Sequence, residues 1–187
     1  MKAWLLALAL VLPALAARAE TYKIDPAHSF IRCSIRHLLG TARGEFHKFS
    51  GTIEVDEKQP EQSLVNVRLE VKSIDTKIRK RDEHLLGADF FDAERFPEIT
   101  FRSRSVKQTA ADSGDVRGEL TMHGVTHPLI LHVKLLTKSP TRTRWSVTTE
   151  PIRRKDFGLM FSGTAETVSG IGQDVTSSIE IEAVRAD

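Results

Sequence analysis

Across most of its length this chain alternates apolar and polar residues with a period of two, and no other feature constrains the fold as strongly. Successive side chains of a strand point to opposite faces, so sustained alternation marks a sheet with one buried face. From Tyr22 to His37, Ile31, Cys33 and Ile35 share one parity while Arg32, Ser34 and Arg36 take the other. Phe49, Gly51, Ile53 and Val55 alternate with Ser50, Thr52 and Glu54, and Val65, Val67, Leu69 and Val71 with Asn66, Arg68, Glu70 and Lys72. The pattern resumes at Ile99, Phe101 and Ser103, then at Val116, Gly118, Leu120 and Met122. Leu129, Leu131, Val133 and Leu135 follow, then Trp145 and Val147, and finally Val175, Ile179 and Ile181. Turns are expected at Asp112–Asp115, His123–Thr126 and Ser139–Pro140. This predicts an all-β domain of about eight antiparallel strands, closed as a barrel or packed as a sandwich. A barrel of that size has room for one slender ligand. Small residues on the inward parity (Gly51, Ser73, Ser103, Gly118, Ser177) either leave a cavity or relieve crowding, and alternation does not decide between them.

One stretch breaks the pattern. Ser73 to Phe101, SIDTKIRKRDEHLLGADFFDAERFPEITF, is dense in charge and then in phenylalanine. Asp75 and Thr76 are N-cap residue types and Gly87 a natural stop, which predicts a helix between them. A second turn starts near Asp89 and ends before Phe96-Pro97, because a residue preceding proline is driven to extended geometry. The β-rich chain thus carries a short helical insertion over residues 76–96.

At the N-terminus, Lys2, an apolar run from Ala3 to Leu12 and the tripeptide Ala17-Arg18-Ala19 have the form of a secretory signal cut after Ala19, with one domain over residues 20–187. The run is too short to span a bilayer comfortably. Removing it takes away Lys2 and Arg18 and no acidic residue, leaving 25 Lys and Arg against 25 Asp and Glu. A neutral chain lacks the electrostatic footprint of a nucleic-acid binder. Its single cysteine, Cys33, forms no intramolecular disulfide. On the apolar parity it reads as a small buried hydrophobe rather than a nucleophile.

Asp25, His28, Ser29 and His37 include the residue types of a hydrolase triad. However, His28 and Ser29 are sequence neighbours whose side chains diverge on a strand, and the chain contains no Gly-x-Ser-x-Gly elbow. A hydrolase using Ser29 with His28 or His37 is the competing reading. The seven histidines show no metal-ligand spacing, and strand-end hydrogen bonding is the expected use for them. No metal or other cofactor is expected.

Several phrases read together: Asp25-Pro26-Ala27-His28-Ser29 with His37; Gly44-Glu45-Phe46 with Phe49-Ser50-Gly51; Ser73-Ile74-Asp75-Thr76 with Arg81-Asp82-Glu83-His84-Leu85; Asp89-Phe90-Phe91-Asp92 with Phe96-Pro97-Glu98-Ile99-Thr100-Phe101; Gly118 to Thr126; and Arg154 to Leu159. In this order and spacing they resemble the YceI-like family of bacterial periplasmic proteins. The resemblance covers essentially the whole chain after residue 19. It implies a lipocalin-like, eight-stranded antiparallel barrel around an elongated apolar pore. It further implies a carrier of polyisoprenoid or similar long amphiphilic lipids, such as a polyprenyl chain or an isoprenoid quinone, rather than an enzyme. Two departures stand out: Leu86-Gly87-Ala88 replaces a more usual polar-then-serine step, and Cys33 stands where phenylalanine is common.

On that basis the pore is expected to be lined by Ile31, Cys33, Ile35 and Phe49 from the first half of the chain, with Val67 and Leu69. From the second half come Phe101, Leu120, Leu131, Val133 and Val147. Phe90, Phe91 and Phe96 are expected to cap or gate it. Arg81, His84 and Arg154 are the candidates for a lipid head group, through phosphate or quinone oxygens. The expected partners are the lipid itself and membrane proteins that handle it, with a homodimer left open.

Overall fold

The computed structural model describes residues 19–160 and 170–186. The expected signal sequence, but for Ala19, lies outside the described residues. The chain opens with β1 (Glu20–Ile24), β2 (Phe30–His37), β3 (Gly40–Phe46), β4 (Phe49–Val55), β5 (Leu64–Glu70) and the two-residue β6 (Ile74–Asp75). One helix, α1 (Arg79–Leu86), follows. Then come β7 (Glu98–Ala110), β8 (Ser113–Met122), β9 (Val125–Lys138), β10 (Arg142–Thr149), the short β11 (Ile152–Arg153) and β12 (Asp174–Arg185).

These segments form a closed, eight-stranded antiparallel barrel. β1 and β2 are two halves of one barrel strand: both pair with β12, β1 through Tyr22↔Arg185 and β2 through Ile35↔Val175. β3 and β4 are likewise two halves of the next, pairing with β2 and β1 respectively. β5 and β6 make the third, against β4 and β3. β7 pairs with β5, then β8, β9 and β10 follow in order, and β10 returns to β12. Every strand therefore lies beside its neighbour in sequence except at the closing seam between β12 and β1–β2. The hairpin turn His123-Gly124, with φ 53° and 73°, is a two-residue turn with both central residues left-handed, the type whose twist suits a hairpin.

The three composite strands break at one level. Residues Pro26–His28 form a 3-10 turn between β1 and β2, His47 and Lys48 separate β3 from β4, and Val71–Ser73 form a second 3-10 turn between β5 and β6. Backbone bonds bridge adjacent breaks, Glu70 N–H to Lys48 C=O at 2.9 Å and His47 N–H to Ser73 C=O at 3.2 Å. Below that level β6 lasts two residues, so the wall has no strand between β6 and the β8–β9 hairpin. The insertion fills this gap. Val71 N–H bonds Pro97 C=O at 2.9 Å, and the Phe96 ring packs edge-to-face on His123, 4.9 Å between centroids, where a Cβ on Gly124 would strike it at 2.6 Å.

The sequence expectations differ from this structure in definite places. α1 begins after Ile78, not at Asp75 or Thr76, because Asp75 closes its own turn onto Lys77 N–H (2.7 Å) and Lys77 is left-handed at φ 64°. Gly87 does end the helix. The β7–β8 turn falls at Ala111-Asp112, one residue earlier than its composition suggested, and β8 starts at Ser113. β3 was not anticipated, since Ala42 and Gly44 give its inward parity almost no apolar signal. Gly51 and Gly118 relieve crowding: a Cβ on Gly118 would lie 2.4 Å from Arg102 O and 2.5 Å from the Phe101 ring.

Candidate functional site

The barrel is hollow. A cavity of about 830 Å³ runs along it from the α1 end, at His37, Arg81 and His84, to the opposite turns at Asp56, Glu57 and Asp112. Inward-facing aliphatics in mid-strand, such as Val67, Leu129, Leu131, Val133 and Ile179, are only half-buried. In a solid core of close-packed side chains these positions would be sealed. Their partial exposure is exposure to the void.

Most side chains singled out from the sequence stand on this cavity's wall. Ile31, Cys33 and Ile35 line it from β2, Val67 and Leu69 from β5, and Phe101 from β7. Leu120, Leu131, Val133 and Val147 line it from β8, β9 and β10. Phe90 and Phe91, 5.2 Å apart and edge-to-face, close it beneath α1. Two stand elsewhere. Phe49 is buried at 7% exposure but follows the β3–β4 break, where the strand turns it into the packed layer beside the cavity rather than onto its wall. Phe96 seals the insertion against His123 and Gly124 and is not on the wall.

Wall residues that the sequence reading missed include Val106 and Trp145. A bulge between Ser103 and Ser105 shifts β7 by one residue, so Val106 rather than Ser105 faces inward. The signal for Trp145 was present, because it shares the parity of Val147.

The ionisable residues on the wall are sorted by end. Among the described wall residues the α1 mouth has His37, Arg43, Arg81, His84 and Arg154 and no Asp or Glu; the far mouth has Asp56, Glu57 and Asp112 with Lys138. Arg81 is braced by Thr76, donating from Nε to Oγ1 and from Nη2 to the carbonyl, each at 2.8 Å. Asp82 accepts from the same threonine, N–H at 2.9 Å and Oγ1 at 2.5 Å, so Arg81 and Asp82 grip Thr76 between them instead of pairing with one another. Asp75 beside them is held well below the usual carboxylate range, chiefly by its bond from the Lys77 ammonium. Arg154, 1% exposed, donates to the carbonyls of Gly172 (2.9 Å) and Leu159 (2.7 Å), so it braces the chain around the mouth. Burial pushes the Cys33 thiol pKa up, which keeps it protonated and unreactive on the wall.

The triad candidates do not assemble. Ser29 Oγ donates to the Asp25 and Glu182 carbonyls at 2.7 and 3.2 Å and accepts from Glu182 N–H at 2.8 Å. Those bonds consume the hydroxyl in locking the seam. His28 Nδ1 pairs with Asp25 at 2.8 Å, while His37 sits at the far end of β2. Asp25, His28 and Glu182 converge closely enough to suggest a cation site, but the Arg142 guanidinium bonds both carboxylates. Two further histidines act as struts. His123 and His127 donate to the carbonyls of Phe157 (3.0 Å) and Asp156 (2.9 Å), docking the Arg154–Phe157 turn onto the β8–β9 hairpin.

Comparison with known proteins agrees with this architecture. The family model for the YceI-like domain matches residues 22–183. The YceI protein of Escherichia coli O157:H7 is 42% identical over 123 residues, 64% of this chain and 64% of that protein. The match thus spans just under two thirds of such a relative's length. Among solved structures, BcnA of Burkholderia cenocepacia superposes with a TM-score of 0.78 at 22% identity, covering 85% of this chain and 98% of that one. A polyisoprenoid-binding domain from Saccharophagus degradans gives 0.69 at 16% identity, covering 88% and 98%. At such identities the two structural likenesses bear on the fold.

Proposed function

The chain belongs to the YceI-like family, and from that premise we propose that it is an exported carrier or store for a long-chain isoprenoid lipid held non-covalently in the barrel. The observation that carries this reading is the continuous apolar cavity of about 830 Å³ with half-buried aliphatics along its wall. The polyisoprenoid-binding domain among its structural neighbours supports the ligand class. The form of residues 1–19 supports export to the periplasm, and no helix among the described residues is long and apolar enough to cross a membrane.

The cavity volume sets the size of the ligand. An apolar cavity of about 150 Å³ takes one benzene ring, or ~25 Å³ per carbon. On that scale the 830 Å³ here holds on the order of thirty carbons, about six isoprene units. Burying such a chain from water releases ~24 kcal/mol at ~0.8 kcal/mol per methylene, above the ~20 kcal/mol ceiling of non-covalent affinity. The relevant reference is instead a bilayer, as apolar as the pore, so transfer between the two is near neutral while release into water is very slow. That balance suits a shuttle or a store. In this reading Arg81 and His84, on the cavity wall at the α1 mouth, meet the polar head.

Detergent-free purification, organic extraction and mass spectrometry test this reading. A stoichiometric isoprenoid of about thirty carbons is expected. A protein that carries no lipid and takes up no added polyprenyl lipid overturns it.

A further inference from the structure

The two ends of the barrel are finished differently, and the α1 end carries apolar side chains that the fold does not use. Leu38 and Leu39 form the tip of the β2–β3 hairpin, 77% and 91% exposed. Hairpin tips favour Gly, Asn and Asp, and two exposed leucines there add nothing to the core. Ile78, just before α1, is 52% exposed, and Met160, after the Arg154–Phe157 turn, is 50% exposed. The backbone brings all four to one rim. Ile74 and Asp75 pair with Phe46 and Glu45, the end of β3, and the turn at Asp75–Lys77 leads directly to Ile78 and α1, whose Arg81 and His84 line this mouth. Gly172 N–H bonds Arg36 C=O at 2.8 Å, Gly170 lies against Leu38, and Arg154 holds both Gly172 and Leu159, next to Met160.

Cations surround these apolar tips. Residues 36–43, 77–89 and 153–156 contain nine Lys and Arg against four Asp and Glu. Arg36, Arg43, Lys80 and Arg153 make no ion pair among the described residues. At the far mouth, residues 56–63, 111–115 and 138–142 contain five Asp and Glu against three Lys and Arg. That end also exposes Leu64 and Leu136, at 41% and 44%, but the lysines flanking Leu136, Lys134 and Lys138, are paired with Asp112 and Glu57.

We infer that the α1 mouth docks on an anionic lipid bilayer, with Leu38, Leu39, Ile78 and Met160 dipping into the acyl boundary and the surrounding Arg and Lys meeting the head groups. Apolar insertion combined with basic attraction is how monotopic proteins hold a membrane surface. Among the described residues the rim is built from separate aliphatic protrusions with no exposed aromatic, whereas protein interfaces centre on a packed patch enriched in aromatics. The docked mouth is the same end at which the cavity wall is basic, so a lipid head leaves one anionic surface for a cationic one. The inference extends the carrier reading and explains how ligand exchange avoids water, but docking itself is measured independently of lipid content.

Flotation with phosphatidylcholine vesicles, with and without about 30% phosphatidylglycerol, tests it. Binding to the anionic vesicles is expected, weakening as salt screens the head groups. L38S/L39S should reduce that binding about tenfold or more with its extracted lipid unchanged, since both residues are solvent-exposed. R36Q/R43Q should remove part of the salt dependence. L64S/L136S at the opposite mouth should bind as the unmodified protein does. No flotation with vesicles of either composition overturns the proposal, and so does equal damage from L64S/L136S. Flotation of L38S/L39S equal to that of the parent also overturns it, and retention only on a membrane protein in lipid-free form assigns the rim to a protein partner instead. Absence of extractable lipid in every variant would refute the carrier reading alone.

Discussion

This barrel has an unbroken side and a broken one: five of its eight strands run through and three are interrupted. β7 to β10 run 13, 10, 14 and 8 residues as a plain meander joined by tight turns. On the other side, β1–β2, β3–β4 and β5–β6 each break at one level, and beyond it the wall is completed by α1 and the phenylalanine-rich loop. The unbroken half supplies Leu120, Leu131, Val133 and Val147 to the cavity. The broken half supplies nearly all the charge at the α1 mouth: His37, Arg43, Arg81 and His84. A regular sheet sets how much ligand fits, while interrupting it provides a place for side chains that a strand's fixed alternation would hold at the wall or in solvent.

That division can be attacked from both sides. Leu120→Arg places a guanidinium on the apolar wall of the unbroken half, and removing a charge from water without a partner costs several kcal/mol. Lipid retention should fall by more than about a hundredfold; mass spectrometry of extracts from the folded variant checks this, and retained lipid would mean that Leu120 does not face the ligand. Val133→Trp, in the same half, keeps the wall apolar but fills part of the void. It should shift the bound lipids to shorter chains by on the order of one isoprene unit at ~25 Å³ per carbon, with no change in head-group preference.

In the broken half, Arg81→Gln should do the reverse. It removes charge-assisted bonds at the α1 mouth and should weaken lipids with anionic or strongly polar heads about tenfold, leaving the chain-length profile as it was. Competition between head-bearing and head-free polyprenyl lipids separates the two effects, and a changed length profile would erase the distinction between the halves. The smallest effect concerns stability. Tyr22, 1% exposed on β1, donates to Glu20 at 2.6 Å, and burial together with that bond pushes its phenol up to about 12. An unfolded tyrosine ionises near 10, so Tyr22 stabilises the fold fully below about pH 10 and loses that contribution as pH rises towards about 12. Denaturant titrations across this interval should show a fall in stability that Tyr22→Phe lacks.

How much of this was legible in the chain follows the same boundary. In the unbroken half, parity alone placed Leu120, Leu131, Val133 and Val147 on the cavity wall, because long strands with one apolar face leave a two-residue period nothing to compete with it. The bulge at Ser103–Ser105 escaped, since an extra residue in a strand has no compositional mark, as did the exact place of the β7–β8 turn and the wall position of Trp145, whose parity had marked it. In the broken half, β3 was missed, Phe49 was expected on the wall but stands off it, Phe96 was expected to cap the pore but seals the insertion against His123 and Gly124, and α1 was started at Asp75. The strand breaks are set by contacts between distant segments, such as Glu70 N–H to Lys48 C=O and Val71 N–H to Pro97 C=O, whereas the start of α1 is moved by a local device, the Asp75 turn onto Lys77 N–H with Lys77 left-handed. Hollowness was not legible from alternation at all. A solid core and a lined cavity present the same parity, and only the half-burial of mid-strand aliphatics distinguishes them.

The seam has a consequence for how the chain becomes a barrel. Every other wall contact joins strands adjacent in sequence, so loop-closure entropy falls almost wholly on one step, the meeting of β12 with β1–β2. Ser29 and Glu182, which clasp there, are 153 residues apart. A meander of local hairpins forms quickly, and the long-range closure is the slow event. The Asp25-to-Ser29 segment, with Arg142 and Glu182, is then the clasp of a zipper, and Ser29→Ala should show itself in refolding time before it shows in anything the folded protein binds.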